Sequence, residues 1–217
     1  MMLDSAPFGI AVKKTLHELY LGVEFNRQRQ PDKGMQTVLR YAFGWRVLHW
    51  IIAALVLTTI PIGLTMASRT DANIFDAVTN SFYAVHKAIG FTVLLLMILR
   101  IAMKLRIGAP VHPAEMPRTL AIAARCVHTL IYVLLIVTPV LGWAGVTAYP
   151  ALIIAGNVSL PPLPFVPQSE ALAEQLFAVH GFFALTLAVI VIGHIAAALR
   201  HLVITRDGIF HRMWFGK

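Results

Sequence analysis

Charged side chains are scarce in this sequence. Asp, Glu, Lys and Arg make up 13% of the 217 residues and hydrophobic residues 58%, whereas about a quarter of a typical soluble domain is charged. A soluble all-α domain is the alternative to a membrane protein, but its buried helices usually keep a polar face, and FTVLLLMIL (91–99) has almost none. We predict an all-α fold, an integral membrane four-helix bundle. Its spans are the four apolar runs near the roughly 20 residues that a helix needs to cross a bilayer, at 47–66, 82–99, 127–147 and 176–199.

Basic residues are nearly absent from two of the three connections between these runs. The connection at 148–179 has none, and the connection after the first run has only Arg69. By the positive-inside rule, both termini and the middle connection are cytoplasmic. Topology and anionic lipid account for the net charge of +8, so we expect no nucleic-acid partner. Lys and Arg concentrate in three segments, with seven in 1–46, five in 100–125 and four in 200–217.

The first forty residues lack the short apolar core of a secretory signal. The segment 9–25 instead has apolar residues at helical spacing, which predicts a cytoplasmic helix on the membrane surface, with a partly ordered tail as the equal alternative. We therefore divide the chain into an N-terminal extension, 1–40, and a four-helix domain, 41–217.

The longest connection, 147–175, is rich in proline and contains LPPLPFVP. We expect this connection to be extended and semi-rigid and to cap the outer face of the bundle. Ser169, followed by Glu170 and Glu174, predicts the start of the fourth helix. Pro61 and Pro139 lie inside the first and third spans, where we expect local kinks that neighbouring helices accommodate.

Four histidines lie inside the apolar spans, where an imidazole needs a hydrogen bond or a metal. His49 and His194 lie at the inner ends of the first and fourth spans, and His86 and His180 at the outer ends of the second and fourth. On the fourth span, His180 and His194 are 14 residues apart. Fourteen residues rise about 21 Å and end about 40° short of four whole turns, so both side chains face the same neighbours.

Two imidazoles from facing helices, without a carboxylate or thiolate, suit the two axial positions of haem iron better than zinc, which prefers four ligands. We predict one haem between His49 and His194 and another between His86 and His180. The sequence has one cysteine, Cys126, and no C-x-x-C-H motif, so the haem is bound non-covalently. Small residues beside the ligands leave room for a flat macrocycle, namely Gly90, Gly181 and Gly193.

Other readings of the histidines remain open. Each could hydrogen-bond across helices as polar glue. His128 lies at the inner level of the third span and either replaces a ligand or, as we favour, contacts a haem propionate or a quinone. For His201 we expect a propionate or lipid headgroup contact. We assign no role to the remaining three, His17, His112 and His211.

The sequence from about Tyr41 to the C-terminus resembles the prokaryotic cytochrome b561 family of di-haem, four-helix membrane cytochromes. The paired histidines 14 residues apart on the last helix are its most specific feature. The resemblance rests on YAFGWRVLHW, AVHKAIGFTVLLLMILRI, RCVHTLIYVLLIVTPVLGW and VHGFFALTLAVIVIGHIAAALRH, and the ending RDGIFHRMWFGK is also similar to the family's basic tail.

This resemblance implies that His49 with His194 hold an inner haem b, and His86 with His180 an outer haem b, in a multi-pass protein of the bacterial inner membrane. It also implies ubiquinone as the electron partner. For the branch that looks closest, it implies superoxide oxidase activity, in which superoxide on the outer side of the membrane gives up an electron and the quinone is reduced.

Two cations stand out on the outer side, Lys87 beside His86, and Arg69. Either could steer superoxide toward the outer haem. The alternative for Lys87 is an interfacial lysine or a propionate salt bridge. For Arg69 we favour a solvated loop residue paired with Asp71.

Two rival functions use the same scaffold. The first is a cytochrome b anchor that links a hydrogenase or dehydrogenase subunit to the quinone pool, although such relatives typically have a fifth span. The second is a haem transporter or a structural bundle, but transport would require a polar path, and the spans have little polarity besides the histidines.

Overall fold

The computed structural model describes residues 40–107, 117–156 and 158–216. The predictions for the N-terminal extension, and for His17 and His112, fall outside these residues. Four long helices dominate the described chain, and each is long and apolar enough to cross a membrane. The prediction of an all-α membrane bundle is therefore confirmed. The helices are α1 Phe43–Asp71, α2 Ala77–Ile107, α3 Arg118–Ala148 and α4 Glu170–Arg200.

The helices are longer than the apolar runs that predicted them, with 29 residues in α1 and 31 in each of the others. Helical hydrogen bonds are local, so a helix continues past the hydrocarbon layer wherever its sequence permits. As a result, His86 and His180, which lie near the outer ends of their apolar runs, are not near the first residues of their helices. They lie in the third turn, with His86 after the start at Ala77 and His180 after the start at Glu170.

Helices that follow one another in the chain pack closely, namely α1 with α2, α2 with α3, and α3 with α4. In the described residues, the backbone of α4 approaches α1 and α2 less closely. A buried cluster of apolar side chains joins all four helices between the two histidine levels. Its members are Leu48, Ile52, Val56, Val93, Met97, Leu134, Leu135 and Leu187.

A two-stranded antiparallel hairpin, β1 Ile153–Ala155 and β2 Val158–Ser159, lies in the connection after α3. Gly156 has a φ of +49° at its turn, a conformation that glycine adopts without strain. The proline-rich composition predicted only an extended cap, so the hairpin was missed. Ser169 caps α4 as predicted, because its side chain accepts a hydrogen bond from the backbone N–H of Leu172 at 3.3 Å.

The chain after α4 forms a π-helical turn, His201–Thr205, and a 3₁₀ turn, Phe210–Arg212. The following residues contact the start of α1. Arg46 donates from Nη1 to the carbonyl of Trp214 at 2.8 Å, and Trp50 donates to the carbonyl of Met213 at 2.9 Å. We call this end of the bundle the basic end, and the opposite end the hairpin end.

Candidate haem-binding sites

The histidines predicted to act in pairs lie together. The ring centroids of His86 and His180 are 6.0 Å apart at the hairpin end, and those of His49 and His194 are 6.4 Å apart at the basic end. A metal lies about 2 Å from a ligating imidazole nitrogen, which is itself about 1 Å from the ring centroid, so two imidazoles on opposite sides of one metal have centroids about 6 Å apart. Both pairs have the separation that one metal between two axial imidazoles requires.

A backbone carbonyl orients each imidazole at the hairpin end. His180 donates from Nδ1 to the carbonyl of Thr138 on α3 at 2.8 Å, and His86 donates from Nδ1 to the carbonyl of Thr59 on α1 at 3.2 Å. A histidine whose Nδ1 carries the proton has Nε2 free to bind a metal, and partners of this kind are common behind metal-ligating histidines. The contact of His180 therefore fixes a tautomer that suits ligation. Nδ1 of His86 also lies 3.2 Å from the hydroxyl of Thr59, and the same tautomer holds there when Nδ1 donates to the carbonyl.

Glycines on α1 and α3 let these imidazoles approach the neighbouring helices. A Cβ on Gly63 would lie 2.9 Å from Cε1 of His86, and a Cβ on Gly142 would lie 3.0 Å from Cε1 and Nδ1 of His180. In each case the glycine is four residues after the threonine whose carbonyl accepts the hydrogen bond. The sequences are TIPIG in α1 and TPVLG in α3, and each includes the helix proline. We call each of these threonine-to-glycine segments a glycine notch. The repeat was not predicted, although its pattern is visible in the sequence.

Open space lies beside the predicted ligands. A Cβ on Gly90, Gly181 or Gly193 would meet nothing within 4 Å. The hydroxyl of Thr138 is buried and has no hydrogen-bond partner in the described residues. These features, together with the wider separation of α4 from α1 and α2, fit a flat group held between the imidazoles.

His194 has a second imidazole neighbour at the basic end. The centroids of His128 and His194 are 5.3 Å apart, about 1 Å less than two ligands on opposite sides of one metal require. The pair of His49 and His194 fits that separation better. Within the described residues, no group of three or more His, Cys, Asp or Glu could hold a metal ion.

Lys87 on α2 forms hydrogen bonds with the connection that contains the hairpin. Its ammonium group donates to the carbonyl of Ala151 at 2.7 Å and also to the carbonyl of Ile153. Carbonyls are neutral, so these two partners do not offset the charge of the ammonium group. The lysine thus links the hairpin to α2 at the level of the predicted outer site.

The predicted partner of Arg69 was wrong. Arg69 lies in the last turn of α1 and pairs with Asp76 at 2.7 Å, not with Asp71, and it also donates to the hydroxyl of Thr79. The helix continues through Asp71, and residues two apart on a helix do not face each other. The backbone N–H of Thr79 and then Arg69 lower the pKa of Asp76 to about 2.

His201 contacts a carboxylate at the basic end. Its Nδ1 lies 2.6 Å from Oδ2 of Asp207. Burial works against ionisation of this carboxyl, but the backbone N–H of Ile209 and the contact with His201 keep the pKa of Asp207 below its usual value. The contacts described for His211 and Cys126 do not place them at either site. The rings of His211 and Phe210 meet edge to face with centroids 5.8 Å apart, and Cys126 is exposed.

Four membrane-spanning helices with paired intramembrane histidines are the arrangement of a membrane cytochrome b. Comparison with protein families agrees, because the model described as prokaryotic cytochrome b561 matches residues 40–216. The chain belongs to the prokaryotic cytochrome b561 family, and it is therefore a multi-pass membrane electron-transfer protein of a family that binds haem b. None of the curated proteins compared with this chain matches it.

Proposed function

We propose that this protein passes single electrons from superoxide, or another donor on the outer side of the membrane, to ubiquinone through two haem b groups. The observation that carries the proposal is the presence of two imidazole pairs at metal-spanning separations, with His180 and His194 at two levels of one helix. Their 14-residue spacing corresponds to about 21 Å. The two sites are therefore near opposite faces of the bilayer.

A haem held by His86 and His180, or by His49 and His194, would supply one-electron redox chemistry, and two imidazole ligands would disfavour dioxygen binding. The protein's part is to orient and insulate the sites. The carbonyls of Thr59 and Thr138 hold the imidazoles of His86 and His180, and the apolar cluster between the levels excludes water. His128, next to His194, is the candidate contact for a haem propionate or the quinone.

The charge distribution supports the proposed orientation of the bundle, and with it an electron path from the outer side to the inner side. The basic end faces the cytoplasm under the positive-inside rule, so the hairpin end faces outward. The cell's inner membrane is the expected location. Two superoxide anions give two electrons and two molecules of dioxygen. Those electrons, with two protons from water, reduce one ubiquinone to ubiquinol.

Of the two predicted steering cations, the contacts favour Lys87. Its partners are neutral carbonyls, so its charge still attracts an anion near His86. The charge of Arg69 is offset by Asp76 at 2.7 Å, which weakens its field at a distance. We therefore assign superoxide steering to Lys87, with Arg69 contributing little.

The test is anaerobic mixing of the oxidised, purified protein with superoxide, following haem absorption and ubiquinol formation. The wild type should show haem reduction followed by ubiquinol. His194→Ala should still permit reduction of the outer haem but stop ubiquinol formation, because the path is broken at the basic end. His211→Ala, which changes a histidine outside both pairs, is the matched control and should behave as the wild type.

Two outcomes would contradict this account. Haem that stays oxidised in the presence of superoxide would exclude superoxide as the donor and favour the rival role as an anchor for a hydrogenase or dehydrogenase subunit. Unchanged ubiquinol formation by His194→Ala would exclude an electron path through the basic-end site.

A further inference from the structure

Arg100 is a buried cation of α2 that directly follows the apolar run 82–99. Its exposed fraction is only 6%. Its Nε donates to the hydroxyl of Tyr132 at 2.8 Å, and its Nη1 donates to the carbonyl of Trp45 at 3.3 Å. The aromatic rings of the same two residues lie 5.9 and 5.5 Å from the guanidinium carbon. Arg100 thus contacts both α1 and α3.

No carboxylate of the described residues pairs with Arg100. Four of the five described acidic residues belong to the hairpin end, and the fifth, Asp207, contacts His201. The two hydrogen-bond partners of Arg100 are a phenol and a carbonyl, which carry no charge. A buried guanidinium without an anion is costly, so a buried arginine with only neutral partners is a candidate for binding one.

The position of Arg100 relates it to the basic-end site. Arg100 follows His86 by 14 residues on α2, the same interval that separates His180 from His194 on α4. Because His86 and His180 lie side by side, this interval brings Arg100 to the level of His194 and to the face of α2 that carries His86.

We infer that Arg100 binds a carboxylate of the haem held by His49 and His194. This inference rests on the proposed function. Arginine has five N–H donors in a planar fork that matches a carboxylate, and two of them are used by Tyr132 and Trp45. A lipid phosphate has the same charge, but the burial of Arg100 leaves a headgroup little access. A carboxylate of a haem held between His49 and His194 would instead lie at the level of Arg100 within the bundle.

A purely structural role, tying α1, α2 and α3 together, is the competing explanation. The two roles differ in their effect on reduction potential. A positive charge beside a haem favours the added electron, whereas a structural contact acts on folding alone. The redox potential of the basic-end haem, measured separately from that of the other haem, therefore distinguishes them.

The experiment compares redox titrations of Arg100→Gln and wild-type holoprotein in detergent. Arg100→Gln should lower the reduction equilibrium constant of the basic-end haem about tenfold, which is a shift of about 59 mV for one electron, and leave the other haem unchanged. The potential of the basic-end haem should also become dependent on pH between about 5 and 8, as the released carboxylate takes up a proton. Arg106→Gln, which removes an exposed cation near the end of the same helix, is the matched control and should change neither property.

Arg100→Lys covers the case in which Arg100→Gln does not fold. Lysine keeps the charge but not the fork, so the potential should stay within about threefold of wild type in equilibrium constant while haem dissociates faster. Unaltered potential and pH dependence in Arg100→Gln, or unaltered haem dissociation in Arg100→Lys, would overturn the inference.

Two further measurements distinguish a haem carboxylate from a lipid headgroup, and this inference from the proposed function. The Arg100→Gln shift should be equal in lipid-stripped detergent and in phosphatidylglycerol nanodiscs, and a shift found only with lipid would assign Arg100 to a headgroup instead. The wild-type haem count tests the proposed function independently. A wild type without a basic-end haem defeats the proposed function, whereas two haems with no Arg100 effect defeat this inference alone.

Discussion

Gly142→Ala should weaken haem binding at the hairpin end without touching any ligand. The added methyl carbon would lie 3.0 Å from Cε1 and from Nδ1 of His180, whereas ordinary contacts of this kind are about 3.4–4 Å. The imidazole therefore has to move by roughly half an ångström, and metal sites tolerate only about 0.2 Å. The same movement stretches the 2.8 Å hydrogen bond from Nδ1 to the carbonyl of Thr138.

The size of the effect of Gly142→Ala can be bounded in two ways. Overpacking a well-packed site costs about 1–3 kcal/mol, which corresponds to about 5- to 150-fold in affinity. Loss of the hydrogen-bond partner of a ligating histidine costs about 10- to 100-fold in metal affinity. Both ranges predict a clear loss of haem at the hairpin end during purification or on challenge with a haem-binding competitor.

The assay for Gly142→Ala is haem per chain together with the absorption spectrum of each haem. Gly63→Ala, which approaches the other imidazole of the same site, should have the same phenotype. Gly44→Ala is the control, since a Cβ there meets nothing within 4 Å. Full retention of both haems with unaltered spectra in Gly142→Ala would refute the role assigned to the glycine notch.

Three further predictions concern the hairpin end. Lys87→Met should slow haem reduction by superoxide about 2- to 10-fold, mainly at low ionic strength, with haem content unchanged; a rate equal to wild type at low salt would exclude steering. The backbone N–H of Thr79 helps hold the pKa of Asp76 near 2, so its stabilisation is full above about pH 4 and is lost as the pH falls toward 2. The unfolding temperature of Asp76→Asn should therefore fall less than that of wild type between pH 6 and pH 2.5. Trp143→Phe removes the indole donor to the loop carbonyl at 2.7 Å and should speed proteolysis of the 149–169 connection, as measured against wild type by mass spectrometry.

The fold and the histidine pairing were predictable because both depend on helical periodicity. Apolar runs determine which segments can cross a membrane, and the 14-residue interval places His180 and His194 on one face whatever their neighbours are. The helix ends were less predictable, since polar residues can continue a helix beyond the lipid. This difference accounts for the wrong partner of Arg69, which follows from the extension of α1 through Asp71.

The contacts that position the candidate ligands and Lys87 were not predictable from single segments of the sequence. The notches at Thr59 and Gly63, and at Thr138 and Gly142, have a visible sequence pattern, but their function depends on which helix faces them. The carbonyl partners of Lys87 are likewise 64 and 66 residues away. Contacts between elements distant in sequence depend on the packing of the bundle, which periodicity alone does not specify.

The number of haems per chain in matched histidine variants tests the central claim most directly. Purified wild-type protein should contain two haem b per chain, His180→Ala should contain one, and the remaining haem should have the spectrum and potential of the basic-end site. His201→Ala, which alters a histidine of α4's extension outside both pairs, should retain two. One haem in the wild type, or loss of both in a folded His180→Ala protein, would contradict the account.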